Sequence, residues 1–266
     1  MGRVSATESA HTERIGGLRV RVLSAGAAET EAPPVLVLHG WGASLDAVMP
    51  IVNGLAPTLR VVGLDFPGFG VSEPPPRGWA VDDYADFVLE LCRAHGLERF
   101  SIVGHSFGAR IGIAIASRHP ELVARIVFTG AAGLKPRRKA GYYGRVAVAK
   151  AGRVAGAVGG RPGRELQDRM RRRVASQDWL DASESMRDTF RLVVAEDLGP
   201  RLAAIEASTL LVWGDSDEDT PLWMAERMEA EIPDAALVVL AGGHYAYAER
   251  AGEFNRIAEH FLVRAR

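Results

Sequence analysis

The chain has 266 residues, 47% of them hydrophobic and 24% charged, with 32 Lys and Arg against 33 Asp and Glu. Such an apolar fraction supports a sizeable core and argues against disorder, collagen or a coiled coil; a net charge of −1 gives no global reason to expect nucleic-acid binding. The lone Cys92 cannot form an intramolecular disulfide or build a Cys-rich metal site, which fits a reducing compartment.

From the N-terminus, Met1 to Ile15 lacks the apolar run of a signal peptide, and no stretch of 18 uncharged apolar residues follows, so the expectation is a soluble cytoplasmic protein. Short strands are predicted around Gly16-Gly17, with Leu18 to Ser24 alternating in the period of a half-buried strand. Unbroken apolar runs then recur at Val35 to Leu38, Val61 to Leu64, Phe100 to Val103, Ile126 to Phe128, Leu210 to Trp213 and Leu237 to Leu240. Runs of this kind suit strands buried on both faces. Between them, Val81, Tyr84, Ala85, Val88, Leu91 and Cys92 follow helical spacing, as do Phe254, Ile257, Ala258, Phe261 and Leu262 near the end. Cys92 therefore reads as a buried small hydrophobe. Strands alternating with helices predict an α/β protein with a mainly parallel sheet and helices on both faces.

One segment interrupts the alternation. Leu134 to Leu202 has no comparable strand signal and reads as a helical cap inserted between two strands, which leaves 1–133 and 203–266 as the core. Its Tyr142, Trp179 and Phe190 are candidate pocket residues or, equally, part of the cap's own core.

The stretch Gly104-His105-Ser106-Phe107-Gly108 follows an apolar strand and precedes the helical run Ile111 to Ser117. In a sharp strand-to-helix turn, glycines on either side of a serine permit close backbone approach, and the hydroxyl is presented at a helix N-terminus. A serine hydroxyl is a weak nucleophile at neutral pH and needs a base and an orienting acid. His244 lies beyond the strand ending at Leu240, and Asp217 lies beyond Trp213, with Asp215 and Asp219 as competitors for the acid. The order Ser106, Asp217, His244 is expected when one sheet displays all three along its carboxyl edge.

With His39-Gly-Trp-Gly42, Asp65 to Ser72, Trp213 to Pro221 and Gly242-Gly-His244 in sequence around the elbow, the chain resembles the α/β-hydrolase superfamily. The resemblance implies that Asp217 is the acid, with Asp219 as understudy, and that the backbone N–H groups of Trp41 and Phe107 form an oxyanion hole. His39 and His105 are expected to make structural loop hydrogen bonds, and His11, His95, His119 and His260 to lie on surfaces or helix ends. Tyr245 and Tyr247 either line the pocket or pack in the core. Arg110 reads as a partner in a buried ion pair in preference to a ligand for a substrate carboxylate.

The expected activity is that of a serine hydrolase, a carboxylesterase acting on small or medium hydrophobic esters without metal or cofactor. The alternatives are hydrolysis of carbon–carbon bonds in meta-cleavage-type diketones, and a hydrolase-fold binding protein without turnover. Against the first of these, His105 and Tyr245 stand where that group usually has Asn and Trp. The near-neutral charge is itself a cancellation: Leu134 to Ala175 carries thirteen Lys and Arg against two Asp and Glu, so the remainder of the chain is net acidic. Such a cap suits a solvated helical face, and also an anionic substrate or weak contact with an anionic surface.

Overall fold

The computed structural model describes residues 9–26, 30–135 and 183–263. Eight strands form one sheet in the order β1-β2-β4-β3-β5-β6-β7-β8. They are β1 (Ser9–Ile15), β2 (Leu18–Ala25), β3 (Val35–Leu38), β4 (Val61–Leu64), β5 (Phe100–His105), β6 (Val123–Thr129), β7 (Ser208–Gly214) and β8 (Ala235–Leu240). β1 and β2 form an antiparallel hairpin closed by Gly16 and Gly17, whose φ angles of 55° and 80° favour residues without a Cβ. β2 also runs antiparallel to β4, and from β4 to β8 every pairing is parallel.

The helices are α1 (Leu45–Leu55), α2 (Val81–Ala94), α3 (Phe107–Arg118), α4 (Glu184–Ala195), α5 (Trp223–Glu231), α6 (Ala246–Glu249) and α7 (Ala251–Val263). They cover both sheet faces. Val62, Ile102 and Phe128 pack with side chains of α2, α3 and α5, whereas Val37, Val103 and Val212 pack with α1, α6 and α7. The chain passes from β3 outward to β4 and then returns to place β5 on the other side of β3. This reversal opens a crevice at the carboxyl ends of β3 and β5, where open α/β sheets bind ligands.

Five of the six predicted apolar runs are interior strands. The sixth, within β8, is an edge strand whose Val239 is 44% exposed, so it is not buried on both faces as its composition implied. Glu229 blunts part of that open edge by accepting a hydrogen bond from Leu237 N at 2.9 Å. α1 was not evident in the sequence. Ser44 caps its start, Leu45 N donates to Asp65 Oδ1 at 2.7 Å, and Asn255 of α7 donates to the carbonyl of Pro50 inside the helix.

Only part of the expected cap falls within the described residues. α4 lies there and is tied to the core: Trp79 N donates to Thr189 Oγ1 at 2.9 Å, and Arg201 bridges Asp82 and Glu196. Tyr142, Trp179 and nearly all of the basic run from 134 to 175 lie outside the described residues. Among those described, no helix is long and apolar enough to cross a membrane.

Candidate active site

β5 ends at His105 and α3 begins at Phe107, so Ser106 occupies the turn between them. Its φ of 51° and ψ of −107° make it the single non-glycine residue with positive φ among the described residues, a strain costing roughly 1–3 kcal/mol. Three backbone hydrogen bonds hold this conformation: Ser106 N to Thr129 O, and Ala109 N and Ala132 N to Ser106 O, at 3.1 to 3.2 Å. The flanking glycines are sterically required. A Cβ at Gly104 would lie 2.9 Å from Ala109 N, and one at Gly108 would lie 2.3 Å from Leu38 O.

The loop after β7 carries Asp217 and the loop after β8 carries His244. His244 Nδ1 lies 2.9 Å from Asp217 Oδ2, with the Asp217 carboxylate wholly buried and the imidazole 12% exposed. Asp217 Oδ1 accepts from Asp219 N and Thr220 N, each at 2.9 Å, and Oδ2 also accepts from Thr220 Oγ1 at 2.7 Å. Burial pushes the Asp217 carboxyl up, but hydrogen bonds from His244 and from the backbone and hydroxyl of Thr220 prevail and hold it below the usual carboxylate range. Asp219 is exposed.

The two loops are fastened to each other. Asp215 N donates to Leu240 O, Ser216 N and Oγ donate to Gly242 O, and Gly242 N returns a bond to Asp215 Oδ1. Glu249 receives Gly243 N at 3.0 Å, steadying the residue before His244. The neighbouring β6 exit links this unit to Ser106. Thr129 O accepts from Ser106 N, while the next residue, Gly130, abuts His244 so closely that a Cβ there would stand 3.0 Å from Nδ1.

His105 and His39 make the structural loop bonds expected of them. His105 Nε2–H donates to His244 O at 3.0 Å, and its ring lies 4.7 Å from that of His244; burial foremost, and then the neighbouring His244, push its pKa down to about 3. His39 Nδ1–H donates to Gly40 O, and its Nε2 accepts from Phe66 N at 3.0 Å; burial lowers its pKa to about 4. Both imidazoles are therefore neutral near pH 7.

Trp41 and Phe107 meet at the crevice with their rings 5.2 Å apart, and the N–H of neither donates to an acceptor among the described residues. Gly40 brings the Trp41 loop against the elbow, a Cβ there lying 3.5 Å from Ser106 Cβ. Phe190 of α4 packs on Trp41 at 5.2 Å. Tyr245 is 46% exposed and its ring lies 5.4 Å from His244, so it flanks the site, whereas Tyr247 is buried with its hydroxyl donating to Ala47 O. Arg110 donates to Val193 O in the last turn of α4 and to Glu196 O just after it; its partners are helix-end carbonyls, not the carboxylate of a side-chain ion pair.

Asp217, Asp219 and His244 also bring three metal-ligand atoms within 4.8 Å. Hydrogen bonds from His244, Thr220 and the backbone already account for the Asp217 oxygens. Thr220 is the residue whose role here went unassigned in the sequence, although an aspartate commonly accepts from backbone N–H groups two and three residues on, here those of Asp219 and Thr220. Trp213 supports the same loop, its buried Nε1 donating to Thr220 O at 2.6 Å.

Residues 33–251 match the α/β hydrolase fold family. The chain belongs to it. A dihydrolipoyllysine-residue acetyltransferase component of the acetoin cleaving system from Cupriavidus necator is 29% identical over 93% of this chain and 67% of its own length. A 2-hydroxy-6-oxononadienedioate/2-hydroxy-6-oxononatrienedioate hydrolase from Pseudomonas putida is 30% identical over 87% of this chain and 88% of its own. Among solved structures, a bacterial membrane phospholipase A superposes with a TM-score of 0.76 at 26% identity, over 96% of this chain and 86% of that one.

Proposed function

We propose that this hydrolase uses Ser106 as nucleophile, His244 as general base and Asp217 as the acid that orients it. The carrying observation is the buried Asp217–His244 hydrogen bond on loops that leave the same sheet edge as the strained Ser106 turn. Ser106 Oγ attacks a carbonyl carbon as its proton passes to His244 Nε2. The new oxyanion is held by the Trp41 and Phe107 N–H groups, each worth roughly 3–4 kcal/mol in related chemistry. Collapse expels the leaving group with the proton from His244, leaving an acyl-enzyme. Water, deprotonated by His244, then releases the acid and restores Ser106.

Carboxylic esters of small or medium hydrophobic acids are the substrates this machinery meets with least demand, and the aromatic wall of Trp41, Phe107 and Phe190 suits an apolar group. A second reading, hydrolysis of a carbon–carbon bond beside a carbonyl, is favoured by the name of the Pseudomonas putida relative, which matches along most of both chains. Fluorophosphonate labelling tests the nucleophile: the parent should label and Ser106→Ala should not. Equal labelling of both would end the serine-hydrolase reading. Short-chain aryl esters assayed beside a ring-fission dienoate separate the substrate classes, since turnover of the dienoate alone would exclude esterase action.

A further inference from the structure

Thr220 touches both the acid and the base of the proposed triad. Its Oγ1 lies 2.7 Å from Asp217 Oδ2 and 3.3 Å from His244 Nδ1, while its backbone N–H donates to Asp217 Oδ1 at 2.9 Å. A hydroxyl has one proton and two lone pairs. With the proton given to Asp217, a lone pair remains facing His244 Nδ1–H, which is then shared between Asp217 Oδ2 at 2.9 Å and Thr220 Oγ1. That pattern requires a proton on His244 Nδ1, so in the neutral imidazole, which carries a single N–H, Nε2 is left unprotonated. Thr220 itself is 5% exposed, and its carbonyl is pinned by the buried Trp213 indole.

We infer that Thr220 is a positioning residue of the triad, its hydroxyl locking the Asp217 carboxylate and selecting the His244 tautomer that leaves Nε2 free to take the Ser106 proton. The inference rests on the serine-hydrolase reading of the site. Two consequences follow from the geometry. Asp217 Oδ2 serves two donors at once, so its charge is divided between Thr220 and His244. Removing the hydroxyl returns the full charge to His244, which makes the imidazole more basic. Among the described residues, the other titratable groups facing this pair are the exposed Asp219, the neutral His105 ring and Tyr245. None of them replaces a donor to Oδ2.

The test is the pH dependence of the fluorophosphonate labelling rate, which requires an activated Ser106 but no knowledge of the substrate. Thr220→Val keeps the branched shape and removes the hydroxyl. It should label roughly tenfold more slowly at neutral pH, the range expected for losing one hydrogen bond to a charged group. Its acid limb should move to higher pH by several tenths of a unit, and Thr220→Ser should restore both rate and profile. Thr220→Ala is the second variant. Parent rates and an unshifted limb in Val and Ala variants would overturn the inference, as would slowing that Ser fails to rescue. Loss of the parent circular dichroism in both would likewise overturn it, assigning Thr220 to folding alone. Failure of the serine-hydrolase reading is read separately, by undiminished labelling of Ser106→Ala.

Discussion

Gly108→Ala should move the nucleophile without touching any group of the triad. A methyl built on Gly108 would stand 2.3 Å from Leu38 O, 2.6 Å from Leu38 C and 2.7 Å from Leu38 Cβ. The first two are backbone atoms of a central strand, with no flexible end to swing away. Reaching ordinary contact at 3.4 Å requires α3 to retreat from β3 by about 1 Å, carrying the Phe107 N–H and the Ser106 turn with it. Overpacking of this kind costs roughly 1–3 kcal/mol, a fall in Tm of roughly 2–5 °C for a chain of this size. A displacement of about 1 Å at a reacting atom costs on the order of 100-fold in rate. Fluorophosphonate labelling well below the melting temperature measures the second effect, and a melting curve measures the first. Gly252→Ala is the control, because nothing lies within 4 Å of a methyl at that position. Labelling of Gly108→Ala within threefold of the parent would refute the claim that the elbow depends on this close approach.

Asp217→Asn should lower turnover by on the order of 10³- to 10⁴-fold, because whichever way the amide points, its NH2 faces donors that previously met an acceptor. Asp219→Asn, whose side chain is exposed, should remain within a few-fold of the parent, and the reverse ranking would transfer the acid role to Asp219. The two buried histidines set a pH dependence of stability. Their folded pKa values, about 4 for His39 and about 3 for His105, lie below the unfolded value near 6.5, so the unfolded state binds more protons in acid. Stability is therefore full above pH 6.5 and falls as pH drops, by roughly 2 kcal/mol per histidine on reaching pH 5. Melting temperatures between pH 7 and pH 5 should decline in the parent and decline less steeply in His39→Gln. Parallel slopes would remove His39 from the account.

The strands were legible because five of their apolar runs are buried on both faces, and burial of that kind leaves an unbroken hydrophobic text. β8 carries the same text for a different reason: one side of the strand meets β7 while its edge faces solvent, a difference that only the topology records. α1 was illegible because Pro50 and Gly54 both argue against a helix locally. Tertiary contacts override them, since Asn255 takes the carbonyl of Pro50 and packs where a Cβ on Gly54 would lie 2.1 Å away. At the site, Ser106 and His244 could be nominated because each falls just beyond a strand end, whereas Asp217 was preferred to its neighbours Asp215 and Asp219 only through the family resemblance. Thr220 could not, because its meaning depends on the loop returning its hydroxyl to a carboxylate and an imidazole at once.

Arg110 shows why the proposed nucleophile and α4 are not independent parts. It lies one turn after Ser106 on α3, and burial pushes its pKa down, yet its guanidinium reaches out of the core to Val193 O and Glu196 O. Those are carbonyls at the end of α4, where a helix has no internal donors left and a positive charge is favoured. α4 in turn lays Phe190 on Trp41, whose loop supplies one expected oxyanion donor. The other donor, Phe107, belongs to the same helix as Arg110. A chain of contacts thus runs from the elbow helix through Arg110 to α4, and back through Phe190 and Trp41 to the opposite side of the same crevice. A substitution that shifts α4 to admit a different substrate should therefore also be felt at Trp41 and Phe107, the groups proposed to hold the oxyanion.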